Sequence, residues 1–61
     1  MIVQQLKKVL REAIPRIDTY EAAQALEAEC YRARSGGILS DKEYREFSGA
    51  IKQICQDEGW I

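Results

Sequence analysis

Histidine is absent from this sequence of 61 residues, and cysteine occurs only twice. Without histidine the chain lacks the commonest general base and the commonest transition-metal ligand. Two cysteines are too few for a disulfide scaffold, and an enzyme cleft of about 300 to 1,000 Å³ needs a larger chain. We therefore expect no enzyme, no catalytic residues, no metal and no cofactor.

The sequence also has no long apolar run and no strong bias of charge. No segment approaches the ~20 apolar residues of a membrane span, and polar residues interrupt the first segment where a signal peptide has its apolar core. The expected location is the cytoplasm. The formal net charge is −1, which argues against the basic surface of a nucleic-acid-binding protein. The length allows a single domain, 1–61, and short free-standing chains of this kind often come from bacteria or their phages.

The first of three predicted helices spans about residues 2–14. Its polar residues lie on one side of a helical wheel, and its apolar residues share a sector roughly 140° wide on the other. Pro15 lacks a backbone N–H and disfavours helix at the residue before it, so the helix should end near Ile14. The apolar residues are Ile2, Val3, Leu6, Val9, Leu10, Ala13, Ile14 and Ile17. This face is wider than one small hairpin readily covers.

The second predicted helix spans about residues 19–35. Asp18 and Glu21 have the residue types and spacing of a capping box at its start. Gly36, or Gly36 together with Gly37, can take the left-handed conformation that ends a helix. Small side chains dominate the apolar face, which lets a neighbouring helix come close. That face comprises Ala22, Ala23, Leu26, Cys30 and Ala33.

The third predicted helix spans about residues 41–58, between a capping box of Ser40 and Glu43 and a terminal Gly59. Its apolar stripe comprises Tyr44, Phe47, Ile51, Ile54 and Cys55. Because only about five residues connect it to the second helix, the two should form an antiparallel αα-hairpin. The predicted fold is all-α, a small three-helix bundle built on that hairpin.

The two cysteines, Cys30 and Cys55, lie on or beside apolar helix faces, which predicts buried, inert thiols. In an antiparallel hairpin their distances from the turn differ by about ten residues, on the order of 15 Å at the rise of an α-helix. A disulfide needs Cα atoms within roughly 7 Å, so we expect none between them. A bridge between two copies of the chain stays an alternative.

The stretch from Arg32 to Phe47 resembles the end of a calcium-binding loop. With Gly37 at position six of the loop, Glu43 falls at the last position, where such loops have a glutamate. The first and third positions are then Arg32 and Arg34, so guanidinium groups replace the required carboxylates. Calcium needs about six or more oxygen ligands. We therefore expect no calcium, only a helix end followed by a capped helix start.

The same stretch, GGILSDKEYREF, is similar to the short helical hairpin called SHOCT, and the resemblance covers residues 22–55. The family pattern has leucines before a Gly-x-Ile-Thr-x-x-Glu-Phe turn and a helix end with Lys and Leu after it. The corresponding residues here are Leu26, Gly37, Leu39, Ser40, Glu43, Tyr44 and Ile51. Alanines replace the usual leucines before the turn, and an additional helix precedes the hairpin. The resemblance implies an association module without catalytic residues.

We predict a non-enzymatic protein-interaction module, whose partner is another protein or, by self-association, a second copy of the chain. Tyrosine and tryptophan are enriched at interface hot spots, so the candidate partner-binding residues are Tyr20, Tyr31 and Trp60. The competing interpretation is that these three side chains complete the core of a monomer.

The alternative function is a small helix-turn-helix DNA-binding regulator of bacterial or phage type, since three helices in a chain of this length suit that fold. Its third helix would read the DNA. Basic residues surround the glycine pair before that helix, an arrangement that suits an anion or a nucleic acid. They are Arg32, Arg34, Lys42 and Arg45. Acidic residues on the same helix and the negative net charge argue against this alternative.

Overall fold

The computed structural model describes residues 3–61, which form three α-helices and one short 3-10 helix. The elements are α1 (Val3–Ala13), the 3-10 helix (Ile14–Arg16), α2 (Tyr20–Ser35) and α3 (Asp41–Asp57). No strand occurs in this described part of the chain. The predicted all-α bundle with an α2–α3 hairpin is confirmed. Ile2, predicted to lie on the first helix, is outside the described residues.

Pro15 ends α1, but the chain keeps turning after it. The α-helix stops at Ala13, and the next residues tighten into the 3-10 helix, where the Ile17 N–H donates to the Ile14 carbonyl at 3.2 Å. Proline suits the first positions of a helix because its missing N–H would have no helical partner there. The predicted end near Ile14 is therefore one residue late for the α-helix.

Thr19, and not the predicted Asp18, caps the start of α2. Its backbone is extended, and its hydroxyl accepts the Ala22 N–H at 3.0 Å. Glu21 then stands one position too early to complete a capping box, so the predicted box of Asp18 and Glu21 is wrong. Threonine and aspartate both cap helices well, and their local preferences do not decide between two neighbours.

Gly37 ends α2 and begins the hairpin turn. Its φ of 80° lies in the left-handed region that glycine adopts without strain. The Gly37 N–H donates to the Arg34 carbonyl at 3.0 Å. The Ile38 N–H donates to the Ala33 carbonyl at 2.8 Å, which completes the hydrogen bonds of a Schellman motif. Of the two predicted glycines, only Gly37 is left-handed.

Both ends of α3 carry the predicted caps. At the start, the Ser40 hydroxyl accepts the Glu43 N–H at 3.1 Å, and the Glu43 carboxylate accepts the Ser40 N–H at 3.0 Å, so the capping box is confirmed. At the end, Gly59 is left-handed with a φ of 76°, and the Trp60 N–H donates to the Cys55 carbonyl at 2.9 Å. This second Schellman motif brings Trp60 back onto the core.

Helices α2 and α3 are antiparallel and are joined by side-chain contacts from the turn to the middle of the hairpin. In order from the turn, the side-chain contacts are the Arg34–Asp41 ion pair at 2.7 Å, the edge-to-face rings of Tyr31 and Tyr44 with centroids 6.2 Å apart, and the hydrogen bond from Ser48 to Glu27 at 3.3 Å. Residue numbers fall on α2 as they rise on α3. The hairpin is therefore closed from the turn to its middle by contacts one helical turn apart.

The core lies between the three helices, and half of the buried residues in the described part of the chain are alanine or cysteine. Its buried residues are Leu10, Ala23, Cys30, Ala33, Leu39, Phe47, Ile51 and Cys55. Ile51 and Cys30 are the largest side chains that are almost completely enclosed. Both cysteines are buried and free, as predicted. Within its described range α1 contributes a single buried residue, Leu10.

Candidate functional site

One side of α1 is fastened to α3. The Lys7 ammonium lies 2.9 Å from the Glu43 carboxylate. The Arg11 guanidinium lies over the Phe47 ring, 5.9 Å from its centroid. Lys7 and Arg11 act together because residues four apart share one face of a helix. These two contacts hold α1 against the first half of α3.

The other side of α1 faces α2 across an open, mainly apolar groove of about 370 Å³, which we call the α1–α2 groove. Its lining residues are Ala13, Arg16, Ile17, Ala22, Ala25, Leu26 and Glu29. Alanine, leucine and isoleucine form most of the lining. Arg16 and Glu29, both exposed, add one charge of each sign.

Two smaller depressions adjoin the α1–α2 groove, one on α1 and its 3-10 helix alone and the other between α1 and the second half of α2. One, of about 240 Å³, shares Ala13 and Arg16 with the groove and is bordered by Val9, which is 53% exposed. The other, of about 150 Å³, shares Glu29 and reaches Leu10. The wide apolar face predicted for the first helix is therefore only partly covered by its own chain.

Alanine keeps the α1–α2 groove open. The side chains of Ala22 and Ala25 are too short to reach across to α1, and Ala25 is exposed. The stripe of α2 that lines the groove comprises Ala22, Ala25, Leu26 and Glu29. The apolar face predicted for the second helix includes Ala22 and Leu26 but omits Ala25 and Glu29. That stripe has the spacing i, i+3, i+4, i+7 from Ala22, and this spacing is the signal by which sequence reasoning can find it.

The two charges of the α1–α2 groove lie towards opposite ends. Arg16 ends the 3-10 helix that leads into α2, whereas Glu29 lies about 10 Å beyond Ala22 along α2. Arg16 makes no ion pair with the described residues. Glu29 accepts a hydrogen bond from Arg32 at 2.7 Å, within the same helix.

The three predicted partner-binding residues lie away from this groove. Tyr20 and Tyr31 occupy the flank of α2 that faces α3, and Tyr31 is 55% exposed even though its ring contacts Tyr44. Tyr20 is 38% exposed at the open end of the hairpin. Trp60 is half-buried against the core. The three are spread over the hairpin, and none lines the α1–α2 groove.

The four predicted anion-contacting residues are not four free charges. Two of them hold carboxylates at 2.7 Å, in the pairs Arg32–Glu29 and Arg34–Asp41. The hydrogen bond between Arg34 and Asp41 raises the pKa of the arginine and lowers the pKa of the aspartate. Lys42 and Arg45 are exposed, and neither forms an ion pair within residues 3–61.

The amino end of α3 already holds a carboxylate. The Glu43 side chain accepts the Ser40 backbone N–H and a hydrogen bond from Lys7, and these contacts lower the pKa of Glu43 to about 2. The helix end and the ammonium group therefore stabilise a negative charge that the protein itself supplies.

Both thiols are buried in the core. In the part of the chain that the structure describes, no set of three or more His, Cys, Asp or Glu side chains can hold a metal ion. Burial, followed by the charges of Glu27 and Glu29, raises the pKa of the Cys30 thiol. Cys55 is buried beside a depression of about 210 Å³ that Tyr20 and Ile61 also line. A protonated, buried thiol is a weak nucleophile.

The described helices are all too short or too polar to cross a membrane. The chain matches no protein-family model, no curated protein and no solved structure. The resemblance to the SHOCT hairpin therefore stays a prediction that rests on the residues named above.

Proposed function

We propose that this chain is a non-enzymatic protein-interaction module that docks a partner protein through the α1–α2 groove. The observation that carries the proposal is a cavity of about 370 Å³, lined mainly by apolar side chains and left open between two helices. Apolar surface that faces water is unfavourable, and a partner that covers it gains free energy of binding.

The α1–α2 groove has a form that suits a helix. Ala22 and Ala25 keep its floor low, so the axis of a docked helix can approach α2 to about 8 Å. Val9, an exposed apolar side chain in the adjoining depression on α1, can also pack on the docked helix. Helices that bind in grooves do so through apolar residues at i, i+3 and i+4.

The fold gives less support to a DNA-binding regulator. The helices of a helix-turn-helix meet at about 90–120°, whereas side-chain contacts keep α2 and α3 antiparallel from the turn to the middle of the hairpin. The exposed residues of α3 include Lys42 and Arg45, but also Glu46 and Asp57. This mixture of charges is a poor match for a phosphate backbone.

A photo-crosslinking amino acid at position 25 tests the proposal in cells that carry this gene. Ala25 is exposed and lines the α1–α2 groove, whereas Ala28 is exposed on the same helix and lies outside it. Position 28 is therefore the matched control. Upon irradiation we expect a protein adduct from position 25 that position 28 does not give and that nuclease treatment leaves unchanged.

The same experiment distinguishes the competing interpretations. Equal adducts from positions 25 and 28, or none from either, contradict docking through the α1–α2 groove. A crosslinker at position 31 reports on the flank of α2 that carries Tyr20 and Tyr31. An adduct from position 31 without one from position 25 would place the interface at Tyr31. Adducts that disappear after nuclease treatment favour the nucleic-acid alternative.

A further inference from the structure

We propose that the partner in the α1–α2 groove is a second copy of this chain, docked about a two-fold axis with the two α2 helices antiparallel. This inference rests on the proposed function and names the occupant. In this arrangement each groove covers the other, and Arg16 of each copy pairs with Glu29 of the second copy.

The free chain exposes enough surface for such an interface. Its accessible surface is 4387 Å², whereas a compact folded monomer of 7.0 kDa exposes about 4,000 Å². A stable two-fold interface removes about 600 to 800 Å² from each partner. We call the boundary between α2 and the stretch formed by α1 and its 3-10 helix the seam. The seam is about 20 Å long and about two helices wide. Its accessible area reaches the size of such an interface once the uneven surface of the side chains is counted.

The order of charges along the seam favours a second copy over an unrelated helix. Arg16 lies at the end nearest the 3-10 helix, and Glu29 lies towards the other end. Two-fold symmetry pairs each residue with its counterpart twice. The antiparallel arrangement therefore gives both charges an opposite partner.

The existing ion pairs do not prevent this arrangement. Glu29 bonds Arg32 within one exposed helix, and such pairs shift an equilibrium by only about twofold. Lys8 and Glu12 lie 4.0 Å apart on the surface of α1. Arg16 has no carboxylate partner within the described residues, so it gains one in the dimer without losing one.

Sedimentation equilibrium of the full chain from about 1 µM to about 1 mM tests the inference. We expect the mass to rise with concentration from one 7.0 kDa chain to twice that value. Ala25→Glu should weaken dimerisation at least about tenfold because it buries an unpaired charge from each copy. Ala28→Glu adds the same charge outside the seam and should change dimerisation less than about threefold. Circular dichroism checks that both variants keep their helix content.

Exchange of charges tests the two-fold pairing. Arg16→Glu and Glu29→Arg should each weaken dimerisation about tenfold, because the symmetric dimer contains every pair twice. The double variant should return to within about threefold of the original chain, because the opposite charges meet again. Glu46→Arg, on the exposed surface of α3, is the control and should leave dimerisation unchanged.

Three results would overturn the inference. The first is a chain that stays monomeric at about 1 mM; the proposed function still stands in that case if position 25 forms an adduct with a different protein. The second is a dimer that Ala25→Glu does not weaken. The third is a double charge exchange that fails to restore dimerisation.

Discussion

Helix α2 has two neighbours and packs on them very differently. Towards α3, an ion pair, an aromatic contact and a hydrogen bond follow one another along the hairpin, with Ala23 and Cys30 buried beneath them. Towards α1, alanines leave the α1–α2 groove open, and Leu10 is the buried residue that α1 contributes. The contrast indicates that the hairpin supplies most of the stability of the folded chain, while the boundary with α1 leaves apolar surface exposed.

The largest expected effect on stability comes from creating a cavity in the closely packed interface between α2 and α3. Ile51 is 1% exposed, and Ile51→Ala should lower the free energy of unfolding by about 2 to 5 kcal/mol. A domain of this length has about 3 to 9 kcal/mol in total, so much of the protein should unfold. Urea unfolding followed by circular dichroism in dilute solution measures the change.

Val9→Ala provides the matched test on the open side. Val9 is 53% exposed, so its truncation should change the unfolding free energy of a monomer by less than about 0.5 kcal/mol. Similar losses for Ile51→Ala and Val9→Ala would mean that α1 is as tightly packed as the hairpin. The comparison between the two sides of α2 would then fail.

A smaller effect is expected from the hairpin turn. Gly37→Ala should cost about 1 to 2 kcal/mol because alanine is strained at a positive φ. The added methyl group meets no atom within 4 Å, so the cost belongs to the backbone alone. Gly49 lies inside α3 with the same free space, and Gly49→Ala should stabilise the protein by about 0.5 to 1 kcal/mol. If Gly37→Ala and Gly49→Ala changed the free energy of unfolding in the same direction, the explanation given for the turn would be wrong.

The cap of α3 comes next in size. Ser40→Ala removes the hydroxyl that accepts the Glu43 N–H and should lower the unfolding free energy by about 1 kcal/mol. Ser35→Ala is the control. Ser35 is the exposed last residue of α2, and its side chain makes no hydrogen bond with the described residues. Its substitution should therefore change the free energy of unfolding by less than about 0.5 kcal/mol. Equal thermal melting temperatures for the two variants would show that the capping box is not stabilising.

The ends of α3 were predictable from sequence because their signals are local. Ser40 and Glu43 have the residue types and spacing of a capping box, and Gly59 has the one side chain that suits a left-handed residue. The start of α2 was not predictable in this way. Asp18 and Thr19 are both good caps, so the choice between them depends on how the chain leaves the 3-10 helix, which is a tertiary property.

The stripe that lines the α1–α2 groove can be found from its spacing, but whether that groove is open could not be predicted from the sequence, for a related reason. An alanine on a helix fits a tightly packed seam and an open groove equally well, and Ala25 carries no mark of either. The outcome depends on whether the side chains of α1 reach across, and α1 is positioned in part by the contacts of Lys7 and Arg11 with α3. Residue type favours the tyrosines as partner-binding residues, but it does not report where the apolar surface stays open.

The smallest expected effect concerns acid, at the contact that ties α1 to the hairpin. The folded protein lowers the pKa of Glu43 to about 2 from an ordinary value of 4.5. The unfolded chain therefore binds this proton more readily than the folded protein, so acid favours unfolding. The stabilisation is complete above pH 4.5 and should be lost as the pH falls towards 2. Melting temperatures between pH 7 and pH 2 measure it.

A comparison of Lys7→Met with Lys8→Met separates the Lys7–Glu43 contact from other effects of acid on stability. One such effect is the protonation of Asp41, whose pKa the folded protein also lowers. The Lys7 ammonium is one cause of the low pKa of Glu43, after the backbone of Ser40, so Lys7→Met should reduce the acid dependence without abolishing it. Lys8 pairs at 4.0 Å with an exposed carboxylate, and Lys8→Met should keep the original dependence. Identical acid profiles for the two variants would mean that Lys7 does not hold α1 on the hairpin, and the seam with α2 would then have to position α1 by itself.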